Sequence, residues 1–516
     1  MNNNEPKVNP WLITLAVMLP AFMEVLDTTI ANVSLTHIAG SLSVSTDEAT
    51  WVLTSYLISN AIVIPCSAWL GQRFGRKNFL LACVVIFTAA SFLCGLATSL
   101  PMLLAMRILQ GAGGGAFQPI AQSIMMESFP KEKQGMAMGI YGIGVVTAPI
   151  LGPVLGGWIT DNYSWRWIFF IKLPAGFLAY WLIQRFIHDP HWIRNAKPPR
   201  LDMIGFSFMS LWLGCQEVMF DKGQEDDWFG SHFIILMAGL AIIGLFIFVA
   251  RELSAERPFV DLRVMKNYNF SLGAVLMFFA GVTLYSMTAL IPLYLQSLMG
   301  YTALQSGLAM IPRGVGALIA MPLVGRLIGK FQSRHLVAFG FLSFGAASYV
   351  LSQITLDINP WVLFWPLFFS GVSIAFMFVP LNTLALGSLK PEQIGNASGI
   401  FNLMRNVGGS VGISMVTTIT ARRAQFHQNN LVADLTPYDA AYRSNLQTMS
   451  STFASNSDPV TGQQQAIGSM YHTLVTQANF LANLDDFRLF AGLCLVCLIG
   501  ALLLKNVKAS RPIAAH

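Results

Sequence analysis

The amino-acid sequence predicts an all-α polytopic membrane protein, and three observations carry this prediction. Only 11% of its 516 residues are charged and 54% are hydrophobic, whereas a soluble protein carries about 25% charged residues. Most of the chain divides into apolar segments of about 20 residues, the length that crosses a ~30 Å hydrocarbon core. Segments in hydrocarbon must satisfy their own backbone hydrogen bonds, which favours a bundle of helices. A large soluble protein with an apolar core does not account for so many uncharged stretches.

Fourteen apolar spans are separated by breaks that contain charged residues, proline or glycine. Most of the 31 lysines and arginines lie in alternate connections, so the positive-inside rule predicts an even number of spans with both termini cytoplasmic. Twelve spans is the competing count, if 201–221 and 231–250 formed a soluble insert, but both segments are long and nearly uncharged. The fourteen spans are 11–33, 50–71, 79–99, 102–125, 135–159, 166–187, 201–221, 231–250, 269–294, 302–325, 335–355, 360–386, 397–421 and 486–506.

Three parts are expected along the chain. They are an N-terminal six-helix bundle at 1–200, two additional linker helices at 201–266 and a C-terminal six-helix bundle at 267–516. A short internal sequence repeat indicates two related halves, because 68–77 and 325–334 share the pattern small-x-Leu-x-x-basic-Phe-x-x-basic. Transporters built from two such halves place the substrate path between them. A polar connection at 422–485 is expected to be external, and either partly helical or disordered.

Several function classes are disfavoured by the sequence. The net charge of +6 is spread over short loops, which does not indicate a nucleic-acid-binding protein. The first apolar run is too long for a signal peptide and contains acidic residues, so we expect it to be the first membrane helix. The glycine cluster at 110–115 lacks the Gly-Lys-Ser/Thr of a phosphate loop. An ion gradient is therefore the expected energy source, with no cofactor, no metal and no enzymatic activity predicted.

Ionisable side chains within the predicted spans are the main candidates for function, because each costs several kcal/mol in a bilayer unless it is paired or hydrated. Glu24 and Asp27 are three residues apart in the first span and therefore share one helix face. Arg107 in the fourth span lies at a depth similar to that of Asp27, which permits an ion pair. A carboxylate that alternates between arginine and a proton suits proton coupling. The alternatives are a static ion pair for Asp27 and a water-filled vestibule around Glu24.

Four further polar residues are candidates for the substrate path. Gln118 and Gln122 lie in the fourth span, Arg313 lies in the middle of the tenth, and Arg405 lies nearer the inner end of the thirteenth. Either arginine could pair with a carboxylate, bind an anionic substrate or donate to free carbonyls near Pro312. The sequence leaves these three alternatives open.

The fifth predicted span combines small residues with prolines. Small residues recur every four positions, which lets helix backbones approach closely, and the interleaved prolines are expected to bend the helix. A closely packed, bent helix could seal or gate an aqueous path, whereas ordinary tight packing would need fewer prolines. The residues are Gly144, Ala148, Gly152 and Gly156, interleaved with Pro149, Pro153 and Gly157.

The motifs together resemble those of the fourteen-helix drug:proton antiporters of the major facilitator superfamily, and the likeness covers essentially the whole chain. It is strongest to the EmrB type of pump, which also has a polar external loop before its last helix. The matching segments are Leu26 to Val33 in the first helix, the signature loop around Gln72, Arg73, Gly75, Arg76 and Lys77, Arg107 to Gly111 in the fourth helix, Gly144 to Gly157 in the fifth, Trp165 to Phe170, Gly300 to Pro312, and Asn402 to Gly412.

The resemblance implies a major facilitator fold and proton-driven export of small hydrophobic or amphipathic toxic compounds, that is, multidrug efflux and antibiotic resistance. It implies that Asp27 and Arg107 take part in proton coupling. It also implies the bacterial inner membrane as location, with an EmrA-type periplasmic adaptor and a TolC-type outer-membrane channel as partners. The loop at 422–485 is the candidate contact with the adaptor.

The sequence departs from the family pattern at three positions. Gln72 stands where the signature loop has an acidic residue that latches the cytoplasmic side, and Ala68 stands in place of glycine. Lys172 stands where relatives have asparagine, and the sequence offers no role for it. Two other functions remain alternatives: a dedicated exporter of one endogenous metabolite, fatty acid or siderophore on the same fold, and a membrane enzyme such as a lipid transferase.

Overall fold

The computed structural model describes residues 9–189, 202–256, 258–355, 360–433, 435–436, 438–455 and 458–505, and within these ranges it contains helices and turns but no β-strand. The first nine helices form the N-terminal group. Their bounds are α1 (Pro10–Val33), α2 (Leu35–Leu42), α3 (Thr46–Phe74), α4 (Arg76–Gly95), α5 (Leu100–Gly114), α6 (Phe117–Ser128), α7 (Lys131–Asn162), α8 (Trp167–Phe170) and α9 (Lys172–Phe186).

A linker hairpin and a C-terminal group of helices follow. The linker hairpin is α10 (Met203–Lys222) and α11 (His232–Ser254). The C-terminal group is α12 (Tyr268–Ser297), α13 (Ala303–Ala309), α14 (Ile311–Leu327), α15 (Ser333–Leu351), α16 (Pro360–Gly387), α17 (Pro391–Ala433), α18 (Ala440–Ala454) and α19 (Pro459–Leu502). Local sequence sets several helix starts, as where the side chains of Ser45 and Glu48 form a capping box at α3.

All fourteen predicted spans fall on helices, and eleven helical segments among the described residues are long and apolar enough to cross a membrane. The fourth span is two helices, α5 and α6, because the chain turns at Gly115 and Ala116. The sixth and tenth spans are also divided, at Ile171 and Met310. The count of fourteen membrane crossings stays a prediction, as do the domain boundaries, of which the one at residue 200 lies outside the described ranges.

Contacts between helices explain how the two groups are held together. Within the N-terminal group α1 packs on α7 and α9, and α5 packs on α3 and α4; within the C-terminal group α12 packs on α17, and α14 packs on α16. The groups meet where α7 contacts α14 and where α17 contacts α3 and α6. The linker hairpin joins them at the side, because α10 contacts both α3 and α17. We call the surface shared by the two groups the junction.

Large apolar side chains cover the outside of the bundle. Phe246 on α11 is 71% exposed and Trp361 on α16 is 73% exposed. In water such a surface would favour aggregation, whereas in a bilayer it contacts lipid. The exposed faces therefore fit the membrane location that the composition predicts.

The polar connection at 422–485 is largely helical, which settles the choice between helix and disorder for its described part. Helices α17 and α19 contain 43 and 44 residues, or roughly 65 Å each at 1.5 Å per residue. A bilayer core needs only about 20 residues, so both helices run well beyond one predicted span, and α18 packs against α19.

Glycines on α7 allow it to pack against two helices at once. A Cβ atom at Gly152 would lie 2.6 Å from Thr29 Cβ on α1, and one at Gly156 would lie 3.1 Å from the Ile30 carbonyl oxygen. On its other contact surface, a Cβ at Gly139 would lie 2.6 Å from a backbone oxygen of α14. The close approach that the sequence indicated is therefore present, and α7 runs without a break through Pro149 and Pro153.

Candidate functional site

Asp27 lies fully buried on α1 among hydrogen-bond donors from two other helices. Arg107 Nη1 on α5 donates to Asp27 Oδ2 at 2.5 Å, and Lys172 Nζ at the start of α9 donates to Oδ1. Gln110 Nε2 on α5 donates to the same Oδ1 at 3.0 Å. The ion pair between Asp27 and Arg107 that the sequence permitted is thus present, and a second cation joins it. We call Asp27, Arg107, Gln110 and Lys172 the Asp27 cluster.

The two cations of this cluster are surrounded by aromatic rings. The Arg107 guanidinium lies 4.3 Å from the ring centroid of Tyr56, and the Lys172 ammonium lies 4.8 Å from that of Phe169. Arg107 Nε also donates to the Val52 carbonyl at 2.9 Å. Ring faces and carbonyl oxygens carry partial negative charge that helps to stabilise buried cations. One carboxylate can therefore be shared by two cations.

Glu24 lies about one helical turn before Asp27 and has a different environment. Gln118 Nε2 on α6 donates to Glu24 Oε2 at 2.5 Å, and Asn60 Nδ2 on α3 donates to Oε1 at 3.3 Å. Both donors are neutral amides, and among the described residues Glu24 forms no ion pair within 4.0 Å. A Cβ atom at Gly114 would lie 3.3 Å from Glu24 Cγ and 2.9 Å from Tyr56 Oη. Glycine at this position therefore leaves room for Glu24 beside α5.

The junction contributes charged and aromatic side chains that face Glu24 from the C-terminal group. Arg405 on α17 lies within electrostatic range of Glu24. Tyr141 on α7 and Tyr285 on α12 lie within electrostatic range of both charges. We call these four residues, together with Asn60 and Gln118, the central site. Unlike the Asp27 cluster, which lies within the N-terminal group, the central site is built from both groups.

Gln122 connects the two groups of helices through a hydrogen-bond network. Its amide donates to Asn402 Oδ1 at 3.3 Å and accepts from Asn402 Nδ2 at 2.7 Å. Ser398 Oγ on α17 donates to Gln122 Oε1 at 3.1 Å. Of the four residues predicted for the substrate path, Gln122 therefore holds the junction closed here, while Gln118 and Arg405 belong to the central site.

Arg313 lies within the C-terminal group and bonds to α12. It is buried on α14 and donates to Thr288 Oγ1 at 3.1 Å and to the Leu284 carbonyl at 3.2 Å, both on α12. Among the described residues no carboxylate pairs with it. The carbonyl that it binds belongs to α12 and not to the turn near Pro312.

The signature loop turns sharply between α3 and α4. Gly75 has a φ of 83°, which L-amino acids with a side chain rarely adopt. A Cβ atom there would also lie 2.6 Å from Asp189 Oδ2. The Lys77 backbone N–H donates to Asp189 Oδ1 at 2.9 Å, and Lys77 Nζ donates to the Gln184 carbonyl at 2.7 Å. The loop is therefore held to the last turn of α9 and to Asp189, which follows that helix.

An acidic residue from outside the loop pairs with one of its basic residues. Arg76 Nη1 donates to Glu127 Oε2 at the end of α6, at 2.7 Å, and both side chains are largely buried. Burial raises the pKa of Glu127, although the Arg76 charge opposes this rise. Gln72 lies beside Arg76 at a small surface pocket, whereas Arg73 is exposed. The structure thus supplies a carboxylate partner for the loop although Gln72 is not acidic.

Sequence reasoning assigned no role to Lys172, and it did not single out Tyr56 or Asn60. The signal for Lys172 was available, because the residue falls inside the apolar span 166–187 and an ionisable residue there calls for a partner. Tyr56 and Asn60 gave no comparable signal, since polar residues are common on membrane helices and their contacts depend on how helices pack.

The helical bundle has an apolar outer surface and contains buried ion pairs, and a second carboxylate lies between its two groups of helices. These features are typical of a polytopic membrane transport protein. Residues 17–413 match the sequence profile of the Major Facilitator Superfamily. The chain belongs to this superfamily.

Solved structures and curated relatives agree with this membership. The human organic anion transporter MFSD10 (TETRAN) superposes with a TM-score of 0.60 at 14% identity, covering 96% of this chain and 100% of that one. The proton:xylose symporter XylE also gives 0.60 at 14% identity, covering 96% of each chain. The fatty acid resistance protein FarB of Neisseria gonorrhoeae is 36% identical, and the multidrug export protein EmrB of Escherichia coli K12 is 34% identical, each over 94% of both chains.

Proposed function

We propose that this protein is a proton-coupled antiporter that exports small hydrophobic or amphipathic compounds. The observation that carries the proposal is the pair of buried carboxylates on α1, Glu24 and Asp27, each on a different polar network. Buried ionisable groups in a membrane bundle mark ion pathways, because retaining them costs about 2–4 kcal/mol each at the bilayer centre. Asp27, Glu24 and Arg107 form the proposed proton-coupling group, and the proton gradient is the proposed energy source, with no cofactor.

The relatives support an amphipathic substrate. One is named a multidrug export protein and another a fatty acid resistance protein. The tyrosines of the central site offer apolar faces, and Arg405 offers a positive charge that suits a carboxylate group. A dedicated exporter of fatty acids is therefore the second candidate function, and Arg405 is the feature that favours it.

We also propose a location and partners for this protein, and the same relatives support them. We place the protein in the bacterial inner membrane with both termini in the cytoplasm, although both termini lie outside the described residues. An EmrA-type adaptor and a TolC-type channel would continue the export path. The parts of α17 and α19 beyond the predicted spans, with α18, are the proposed adaptor contact. Nothing in these proposals requires an enzymatic activity.

Transport by purified protein in liposomes tests the proposal. An imposed pH gradient should drive accumulation of ethidium, and nigericin, which removes the gradient, should abolish it. Lauric acid should compete with ethidium if the same path takes fatty acids, whereas gradient-driven transport of lauric acid without transport of ethidium would favour the dedicated exporter. Ethidium movement that ignores the gradient would contradict antiport.

A further inference from the structure

The groups that contact Asp27 supply hydrogen-bond donors but no free acceptor. Arg107 and Lys172 carry only donors, and Gln110 points its Nε2 at the carboxylate. The remaining Gln110 oxygen accepts from Arg107 Nη1 at 3.0 Å. A protonated carboxyl group must donate its own O–H, and none of these described contacts could receive it. The Asp27 cluster therefore fits an ionised Asp27.

Gln118 gives Glu24 both a donor and an acceptor. Its Nε2 donates to the carboxylate, while its Oε1 is buried and has no hydrogen-bond partner among the described residues. An unpartnered buried acceptor is unfavourable, and a protonated Glu24 could donate to it once the amide rotates. The surroundings of Glu24 therefore suit both the carboxylate and the carboxylic acid.

The charges around the two carboxylates also differ. Asp27 is the one described residue whose carboxylate pairs with Arg107 and Lys172, so a proton on Asp27 would leave two adjacent buried cations without this counter-charge. Removing one partner of a buried ion pair is strongly destabilising. A proton on Glu24 breaks no ion pair, and it weakens only the longer-range attraction to Arg405.

The ionisable groups that face these carboxylates come from several helices. In the N-terminal group they are Arg107 on α5, Lys172 on α9, Tyr56 on α3 and Tyr141 on α7, and in the C-terminal group they are Tyr285 on α12 and Arg405 on α17. Among the described residues, α6 faces Glu24 with an uncharged amide only. Within the described part of the chain, the cation that faces Glu24, Arg405, thus belongs to the opposite group of helices.

We infer that Glu24 binds and releases the transported proton, while Lys172 and Arg107 hold Asp27 as a fixed anion. The inference rests on the proton antiport proposed above. One proton joins the Glu24 carboxylate from one side of the membrane and leaves to the other side, and no other bond changes. Ionised Glu24 attracts Arg405 across the junction, and protonation removes that attraction. Proton binding at Glu24 would therefore bias the relative position of the two groups.

Infrared spectroscopy of the purified protein detects the proton directly and needs no substrate. Lowering the pH should produce the carbonyl stretching band of a protonated carboxylic acid, and Glu24→Gln should remove one component of it. The matched variant is Asp27→Asn combined with Lys172→Met, which removes the carboxylate together with one of its cations. That double variant should keep the component that Glu24→Gln removes.

The opposite result would overturn the inference. If Glu24→Gln left every pH-dependent component in place, or if the Asp27 double variant lost the component that Glu24→Gln removes, the proton would be assigned elsewhere. In liposomes, Glu24→Gln should lose transport driven by the pH gradient and keep ethidium counterflow, which needs no net proton movement. Absence of gradient-driven transport by the wild-type protein would contradict the antiport proposal. An unexpected infrared result would contradict only the assignment of the proton to Glu24.

Discussion

Gly152 fixes the distance between α7 and the helix that carries both carboxylates. Replacing it with alanine would put a Cβ atom 2.6 Å from Thr29 Cβ and 3.2 Å from the Ile30 backbone nitrogen. Overpacking of this kind costs about 1–3 kcal/mol, more than the ~1 kcal/mol that alanine gains in helix propensity. Gly152→Ala should therefore lower the unfolding temperature, which a thiol-reactive dye can report because most of the cysteines are buried.

The control for this prediction is Gly492→Ala on α19, where an added Cβ has no atom within 4 Å. It should leave the unfolding temperature unchanged or raise it. Equal behaviour of the two variants would show that the close contact between α7 and α1 does not limit stability.

Residue-scale chemistry was predictable where rare residues occupy membrane spans. Glu24, Asp27 and Arg107 could be selected from the sequence because charge in a bilayer is costly. The sequence could not show whether Asp27 pairs with one cation or with two. Lys172 is 145 residues away from Asp27, and its contact depends on how α9 packs on α1. The same holds for Arg313, whose partners on α12 depend on the packing of two helices.

Helix α10 forms polar contacts with both groups. Ser410 Oγ on α17 donates to both carboxylate oxygens of Glu217 at 2.9 Å, and Thr54 on α3 donates to Asp221. Hydrogen bonds to charged groups contribute about 1.5–3 kcal/mol. Glu217→Ala should lower the free energy of unfolding by about this amount. Ser210→Ala on the same helix should change it little, because the hydrogen bond that Ser210 forms among the described residues goes to a carbonyl of its own helix.

A double-mutant cycle locates the effect at the contact between α10 and α17. Ser410→Ala combined with Glu217→Ala should cost less than the sum of the two single changes. Strict additivity would contradict the contact.

Asp485 holds α17 and α19 together beyond the apolar part of each helix. It accepts from Arg423 Nε at 2.6 Å and from Arg488 Nη1 at 3.2 Å, and its Oδ2 lies 2.8 Å from His427 Nε2. Asp485→Asn should loosen the extended segments and speed their cleavage by protease, as measured by the rate at which fragments of the 422–485 connection appear.

Arg443→Gln on α18 is the matched control, because this exposed side chain is charged, lies in the same polar region and takes part in none of these pairs. It should leave the cleavage rate unchanged. If Asp485→Asn also left the rate unchanged, then other contacts between α17 and α19 would hold the extension.

Element-scale prediction succeeded for the existence of helices and failed for their ends. Apolar length predicted the spans, because the thickness of the lipid core fixes that length, and eleven helical segments among the described residues are long and apolar enough to cross a membrane. It did not show the divisions in the fourth, sixth and tenth spans, since glycine and small residues also occur within continuous membrane helices. The extension of α17 to Ala433 was equally invisible to an apolar scale, because its last turns are polar.

Gln122 and Asn402 close the junction in this conformation, with their amides 2.7 Å apart. Alternating access requires the groups to separate there during each cycle. Cysteines at both positions, joined by a short bifunctional reagent, should abolish transport, and reduction of the link should restore it. The measurement is ethidium transport before and after reduction.

A second pair of cysteines serves as the control for cross-linking. Ser34 and Thr160 lie 3.0 Å apart within the N-terminal group, so joining cysteines at these positions should leave most transport intact. Transport that survives the link between positions 122 and 402 would mean that the junction does not open at this end.

Whole-molecule architecture was predictable in outline. The repeated pattern at 68–77 and 325–334 predicts two related halves. That division of the chain stays a prediction, whereas the family match shows the superfamily. Which helix faces form the junction was not predictable, because the contacts of α7 with α14 and of α17 with α6 join residues far apart in the chain. The central site exists only through those contacts, so its membership could be read only from the structure.

Proton movement that accompanies substrate movement tests the central claim most directly. Liposomes that contain the protein, ethidium and a pH-sensitive dye are diluted into ethidium-free buffer, with valinomycin and equal potassium concentrations holding the membrane potential at zero. Antiport predicts that ethidium leaving the liposomes drives protons inward, so the interior acidifies with the wild-type protein and not with Glu24→Gln. Ethidium efflux through the wild-type protein without a change in interior pH would contradict proton-coupled export.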